Sequence, residues 1–359
     1  MILTDFFKDL TVVELAGVLA GPAVGMFFAE LGARVIKVEN KTTGGDMTRQ
    51  WKLPVENPES PFSAYYAAIN WHKEVLMKDL SDPQDNNEVL GLLREADIVI
   101  CNFKKSSAQK LHMDPASLHK LNPNLIYAQI DAFPDDEERP GFDIVLQAEA
   151  GFLFMNGEPG REPVKMPVAL IDILAAHQLK EAILIALLNR QKHGMGCYVS
   201  VSLLEAAIAS LANQATNWLM GNHIPQRMGA LHPNIAPYGE IFYTKDDKPL
   251  VLAVGTSRQF LNLCTCLGIV ETATDQRFAS NTERVKNRQV LKEILQERFY
   301  NWERNELMAA LRQNGVPAGS VLNMQEVFQN KVAKDMVLDE IMADGTISKR
   351  VRTAAFYWD

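Results

Sequence analysis

The segment LTVVELAGVLAGPAVGMFFAELGARVIKVE, residues 10–39, decides the fold. Leu10 to Leu15 alternates and is β-rich enough for a strand, and Ala16 to Pro22 is a loop of small residues. Ala23 to Leu31 then reads as a helix stopped at Gly32, and Arg34 to Glu39, with β-branched Val35 and Ile36, as a second strand. A strand–helix–strand unit of this length implies a parallel sheet. Glycines at 17, 21 and 25 ahead of Glu39 invite a dinucleotide reading. Their spacing is Gly-x-x-x-Gly-x-x-x-Gly, however, not Gly-x-Gly-x-x-Gly, and Pro22 removes an N–H where a pyrophosphate needs donors. An NAD-dependent oxidoreductase stays only as a competing reading.

Outward from this unit the alternation continues, with strands at Ile98–Cys101 and Leu125–Ile130 after helical segments at Asn87–Glu95 and Pro115–Leu121. The acids Asp135 to Glu138 mark a solvated loop. Gly194 and Gly196 turn the chain into a strand at Tyr198–Val201, and Ser202 with Glu205 forms a capping box for a helix through Leu219. His, Pro, Asn and Gly dominate residues 221–237, a domain boundary. Beyond it come a hairpin (Glu240–Tyr243 with Leu250–Val254) and helices at Ser257–Leu267, Thr282–Tyr300 and Asn305–Asn314. The expectation is an α/β protein: a parallel-sheet large domain over 1–220, completed by about 322–359, and a smaller α+β domain over 221–321.

The 359 residues, 47% hydrophobic, suffice for two buried cores. A net charge of −8 argues against nucleic acid or an anionic membrane as the main partner. Cys101, Cys197, Cys264 and Cys266 are scattered without metal or redox spacing, as expected of reduced thiols in a cytoplasmic protein. Leu15 to Ala29 is uncharged but too short for a membrane span, is broken by Gly17, Gly21 and Pro22, and has acidic flanks.

One carboxylate stands apart. After the uncharged run Met166–Leu170, the apolar residues Ile173, Ala176, Leu179, Ile183, Leu187 and Leu188 recur at helical period, which puts Asp172 at the N-terminus of a long helix. As an N-cap it would accept backbone N–H bonds worth about 0.5–2 kcal/mol over alanine. The same amide dipoles would keep it ionised, as a nucleophile must be. Pattern alone favours the cap and leaves the second role open.

Val13-Glu14-Leu15-Ala16 with Val18-Leu19-Ala20-Gly21-Pro22, the run Leu31 to Glu39, Gly45-Asp46-Met47-Thr48-Arg49, Asn102-Phe103, Pro140-Gly141-Phe142-Asp143, Gln147-Ala148, His232-Pro233-Asn234 and Gly315 to Gly319 occur in one order over nearly the whole chain. Together they resemble the type III CoA-transferase family, which includes formyl-CoA:oxalate and carnitine CoA-transferases and the α-methylacyl-CoA racemases. The resemblance implies a Rossmann-like large domain and an interlocked homodimer. It also implies a nucleophilic aspartate between the Gln147-Ala148 segment and the long helix, a position matched by Asp172. That carboxylate would attack an acyl-CoA thioester to give a mixed anhydride, which the released thiolate opens to an aspartyl-CoA thioester. An acceptor carboxylate then reverses the two steps. Coenzyme A is thus part of the substrate, and no permanently bound cofactor or metal is implied. By the same resemblance Val18 lines the site and Lys73 and Lys110 contact the CoA phosphates. Asn102 and Phe103 sit at a strand end, where open α/β sheets bind ligands.

Departures sharpen the expectation. Asn40 and Lys41 stand where transferases place an adenine-packing arginine. Asp131, Phe133 and Leu19 replace a lysine, a tyrosine and a glutamine of the oxalate enzyme, which argues against oxalate as acceptor. Its glycine-rich lid gives way to Met228–Asn234, where His232 either reaches the active site or orders the loop. Arg227, His232 and Arg258 are candidates for meeting a second carboxylate. The racemases carry Gly-His-Asp where this chain has Gly141-Phe142-Asp143, and phenylalanine cannot take a proton. CoA transfer therefore ranks above 2-methylacyl-CoA racemisation, although the length is nearer the racemases. A non-catalytic CoA-binding protein is the third alternative.

Overall fold

The computed structural model describes residues 5–136, 139–342 and 344–357; Glu137 and Glu138 of the acidic run lie outside the described residues. The opening unit folds as β1 (Thr11–Leu15), α1 (Ala20–Glu30) and β2 (Arg34–Asn40). The helix begins ahead of Pro22, because proline is tolerated in a first turn where its missing N–H leaves no bond unmade. Next come β3 (Glu74–Lys78), β4 (Ile98–Cys101), β5 (Ile126–Asp131), α2 (Asp143–Glu149), α3 (Leu170–His193) and β6 (Tyr198–Ser202). These six strands pair in parallel in the order β3-β2-β1-β4-β5-β6. The chain runs outward from β1 to β3 and then returns to β4 beside β1. The carboxyl ends of β1 and β4 therefore flank a topological switch point, the place where such sheets open a ligand crevice.

Successive residues of a strand serve opposite faces. Val12 packs with Ile98, Ile126, α1 and Leu179 of α3, whereas Val13 packs with Val99, Tyr127, Val89 and Leu93. Both faces are thus covered, as parallel strands require. The helix expected from Ser202 to Leu219 is instead two, Leu203–Ala209 and Asn213–Gly221, interrupted where Ala212 takes φ +48°.

The chain divides into two compact units. The first comprises Met1–Phe154, Lys165–Pro225 and Asp335–Asp359, the second Met155–Val164 and Gln226–Lys334. In the second, β7 (Tyr238–Tyr243), β8 (Pro249–Ala253) and β9 (Ala318–Ser320) form an antiparallel sheet with its own core, including Phe242, Leu250, Phe260, Leu295, Phe299 and Leu307. The continuous helix expected over Thr282–Tyr300 is Asn281–Lys286 followed by Arg288–Phe299. The pairing of β9 with β8 and the Arg304–Glu326 ion pair keep the chain with this unit to Lys334, beyond the limit at residue 321 expected from the sequence. A hairpin of β10 (Val337–Ile341) and β11 (Ile347–Val351) then belongs to the first unit. All four cysteines are free. No helix among the described residues is long and apolar enough to cross a membrane.

Candidate active site

Asp172 is not the N-cap of its helix. That position falls to Ala169, which offers no side-chain acceptor, so Asp172 lies inside the first turn of α3. The cap comes from Asp143, whose Oδ1 accepts the amides of Ile171 at 2.7 Å and Asp172 at 3.4 Å. Gln147 steadies the arrangement: its Nε2 donates to Oδ2 of Asp143, and its Oε1 accepts the Met166 amide at 2.9 Å. The Asp172 carboxylate itself accepts no hydrogen bond among the described residues and is only 8% exposed. Burial, reinforced by the negative charge of Asp143, pushes its pKa up to about 7. The sequence suggested a carboxylate kept ionised by the helix terminus; in the structure burial and Asp143 raise its pKa instead. A perturbed carboxyl in a cleft makes Asp172 a candidate functional group.

A cavity of about 250 Å³ opens beside it, lined by Val18, Asn102, Asp131, Arg139, Phe142 and Asp172 among others. It occupies the β1/β4 crevice that the strand order dictates. The loop after β1 is tied down residue by residue. Ala16 gives its carbonyl to Lys37 Nζ at 2.8 Å, Gly17 exchanges bonds with the Asn102 amide at 3.4 and 3.3 Å, and Val18 donates its N–H to Asp46 Oδ2 at 3.2 Å. Phe142 lines the cavity where an imidazole would be needed for proton transfer, and no histidine lies among the described lining residues.

Three of the expected site residues, Val18, Asn102 and Asp172, thus meet in one cavity. The other three do not join them. Lys73, expected at a phosphate, is fully buried, and its ammonium is occupied by Glu14 at 2.8 Å, the Pro22 carbonyl at 2.8 Å and Asn70 at 3.0 Å. Phe103 packs its ring against the core cluster of Val13 and Tyr127. Lys110, at the C-terminal end of the helix Lys105–Lys110, lines a separate cavity of about 480 Å³ with Leu80, Ser81, Asn86 and His112. Asn40 caps a short 3₁₀ turn and Lys41 pairs with Asp85. In the second unit, His232 Nδ1 accepts the Asn234 amide at 3.2 Å, a loop-ordering contact.

Sequence reasoning missed the parts played by Asp143 and Glu39. The acid ending β2, where a dinucleotide fold would grip a ribose, is buried, and its carboxylate is taken by Arg49 at 2.7 and 3.0 Å, Tyr66 Oη at 2.8 Å and the Asp46 amide at 2.8 Å. The signal for this was Arg49 in Gly45–Arg49, a cation near the strand end. Among the described residues no cluster of His, Cys, Asp or Glu could hold a metal ion.

The chain is similar to known proteins over nearly its whole length. The family model described as CoA-transferase family III matches residues 7–357. The chain is 40% identical over 354 residues to the succinate–glutarate CoA-transferase of Agrobacterium fabrum, covering 96% of this chain and 88% of that protein. It is 31% identical over 324 residues to the human succinyl-CoA:glutarate CoA-transferase, covering 89% and 73%. Among solved structures, a CAIB/BAIF family protein from Brucella suis superposes with a TM-score of 0.88 at 39% identity, covering 98% of this chain and 93% of that one.

Proposed function

Because the chain belongs to CoA-transferase family III, we propose that it moves CoA from an acyl-CoA to a free dicarboxylic acid, with Asp172 as the nucleophile. The observation that carries this reading is the Asp172 carboxylate: buried, without a hydrogen bond, and lining the cavity at the β1/β4 crevice. A carboxyl with a pKa near 7 is substantially ionised at neutral pH, yet more basic than a solvated aspartate and so a better nucleophile.

One oxygen of Asp172 attacks the thioester carbonyl. The tetrahedral adduct collapses, the C–S bond breaks, and a mixed anhydride and CoA thiolate result. The thiolate attacks the aspartyl carbonyl, forming an aspartyl-CoA thioester and releasing the donor as its free carboxylate. The acceptor carboxylate attacks this thioester and expels the thiolate, which then attacks the acceptor's carbonyl and leaves Asp172 free. No resident cofactor is needed. Each intermediate is open to hydrolysis, so the burial around Asp172 serves the reaction by limiting water.

The dicarboxylate class is supported by the names of the similar transferases, which pair succinate with glutarate, and by a cation in this cavity. Arg139 lines the cavity, stacked over the ring of buried Phe133 at 3.8 Å and paired with Glu149, and an acceptor's second carboxylate would meet it in competition with that acid. An interlocked homodimer fits the apolar side chains that α3 leaves exposed, Ile185 and Leu188. The test is to incubate the protein with succinyl-CoA and a panel of mono- and dicarboxylates and to identify the CoA esters by mass spectrometry. New esters of short dicarboxylates are expected. Exchange confined to monocarboxylates would overturn the acceptor class, and no exchange with any acid would overturn the proposal.

A further inference from the structure

Val18 takes φ +70°, a conformation that a β-branched residue adopts only when its surroundings enforce it. Beneath the loop lies a buried cluster of four charges, Lys37, Glu14, Asp46 and Lys73, of which Asp46 accepts the Val18 N–H. Lys37 Nζ lies 2.8 Å from Glu14 and 3.1 Å from Asp46, and all three side chains are essentially fully buried. Asp46 has its own fixed orientation: Oδ1 accepts the Thr48 amide at 3.0 Å and the Thr48 hydroxyl at 2.8 Å, while its amide donates to Glu39. Its Oδ2 is thereby aimed at the Val18 N–H. The cluster grips the loop at two points, the Ala16 carbonyl through Lys37 and the Val18 amide through Asp46, on either side of the Asn102 bonds to Gly17. Val18, Leu19 and Ala20 line the cavity that holds Asp172, and α1 begins there with no side-chain cap at Leu19.

We propose that Asp46, backed by Lys37 and Glu14, is a positioning residue for the transfer reaction: it holds Val18 in its left-handed conformation and so fixes the cavity wall opposite Asp172. This rests on Asp172 being the nucleophile. A core alone does not call for four buried charges, since paired ions are a poor source of stability compared with apolar packing. Their geometry instead delivers directed bonds to the one loop that combines backbone strain with contact to the cavity.

The proposal makes a prediction that a merely structural role for Asp46 does not. Glycine accepts φ +70° without strain, so the need for Asp46 should fall when Val18 is replaced by glycine. Wild type, Asp46→Asn, Val18→Gly and the double variant would be mixed with succinyl-CoA, and the rate of covalent adduct formation on Asp172 followed by quenching and mass spectrometry, with thermal unfolding measured for each. Asp46→Asn is expected to slow adduct formation about tenfold or more in the Val18 background and by less than about threefold in the Val18→Gly background, a misplacement cost relieved in a double-mutant cycle. Equal slowing in both backgrounds, or unchanged rates in a folded Asp46→Asn protein, would overturn it. If Asp46→Asn does not fold, Thr48→Val, which removes only the 2.8 Å hydroxyl bond, takes its place in the same cycle with the same criteria. Absence of any adduct in wild type would instead sink the nucleophile assignment.

Discussion

The carboxylate of Asp143 caps the helix that carries Asp172, taking the amides of Ile171 at 2.7 Å and Asp172 at 3.4 Å. One acid is thus tied to the backbone while its neighbour is left without a hydrogen bond, and the charge of the first raises the pKa of the second. Two carboxylates at one helix end are thereby given different surroundings, one bonded to the backbone and one desolvated.

Asp143→Asn keeps an oxygen for the cap and removes the charge. In the proposed mechanism ionised Asp172 attacks, so adduct formation in the wild type should rise with pH through about 7. In the variant that rise should move to lower pH, because one of the two causes of the raised pKa is gone. A pH–rate profile that stays in place would show that burial alone sets the pKa.

Asp172→Asn should abolish transfer and stabilise the fold. The folded carboxyl binds its proton more tightly than the unfolded one, about 7 against 3.8, so wild-type stability falls as pH rises from about 4 to about 7. Asparagine escapes that loss. The variant's advantage should be small near pH 4 and reach up to about 4 kcal/mol above pH 7, measured by denaturant unfolding across pH.

Lys73 and Lys110 should separate cleanly. Lys73→Met leaves Glu14 short of a partner inside the protein and is expected to cost about 3–5 kcal/mol of stability. Lys110→Ala, on an exposed helix end, should change stability by no more than about 0.5 kcal/mol. Urea unfolding of the two variants checks both; a stable Lys73→Met protein with weakened CoA binding would restore the role first expected for that lysine.

Arg139→Gln should raise the KM for glutarate by roughly 10–100-fold, the worth of a charged hydrogen bond, and leave that for butyrate unchanged. Steady-state kinetics with the two acceptors decides it, and an equal change for both would remove Arg139 from acceptor recognition.

Much of this was legible in the chain. The unit over residues 10–39 gave the parallel sheet, because Val12, Val13, Val35 and Ile36 are apolar on both faces. Strand β3 was not legible: at the sheet edge Glu74, Val75 and Met77 stay exposed, so no buried pattern marks it. Motif order and the strand-end rule pointed to Asp172, Val18 and Asn102, which line one cavity. The cap by Asp143 could not, since it joins residues far apart in sequence, and helical periodicity does not reveal which acid a helix terminus recruits. The surroundings of Lys73 were not legible for a related reason. The resemblance placed it at a CoA phosphate, and nothing in the sequence brings Glu14, Pro22 and Asn70 around it.

The most direct test is to trap the intermediate. The protein is incubated with succinyl-CoA, treated with borohydride, digested and sequenced by mass spectrometry. An aspartyl thioester should be reduced to homoserine at position 172, and Asp172→Asn should show no such product. An unmodified Asp172 peptide from protein that still exchanges CoA, or modification at another residue, would contradict the account.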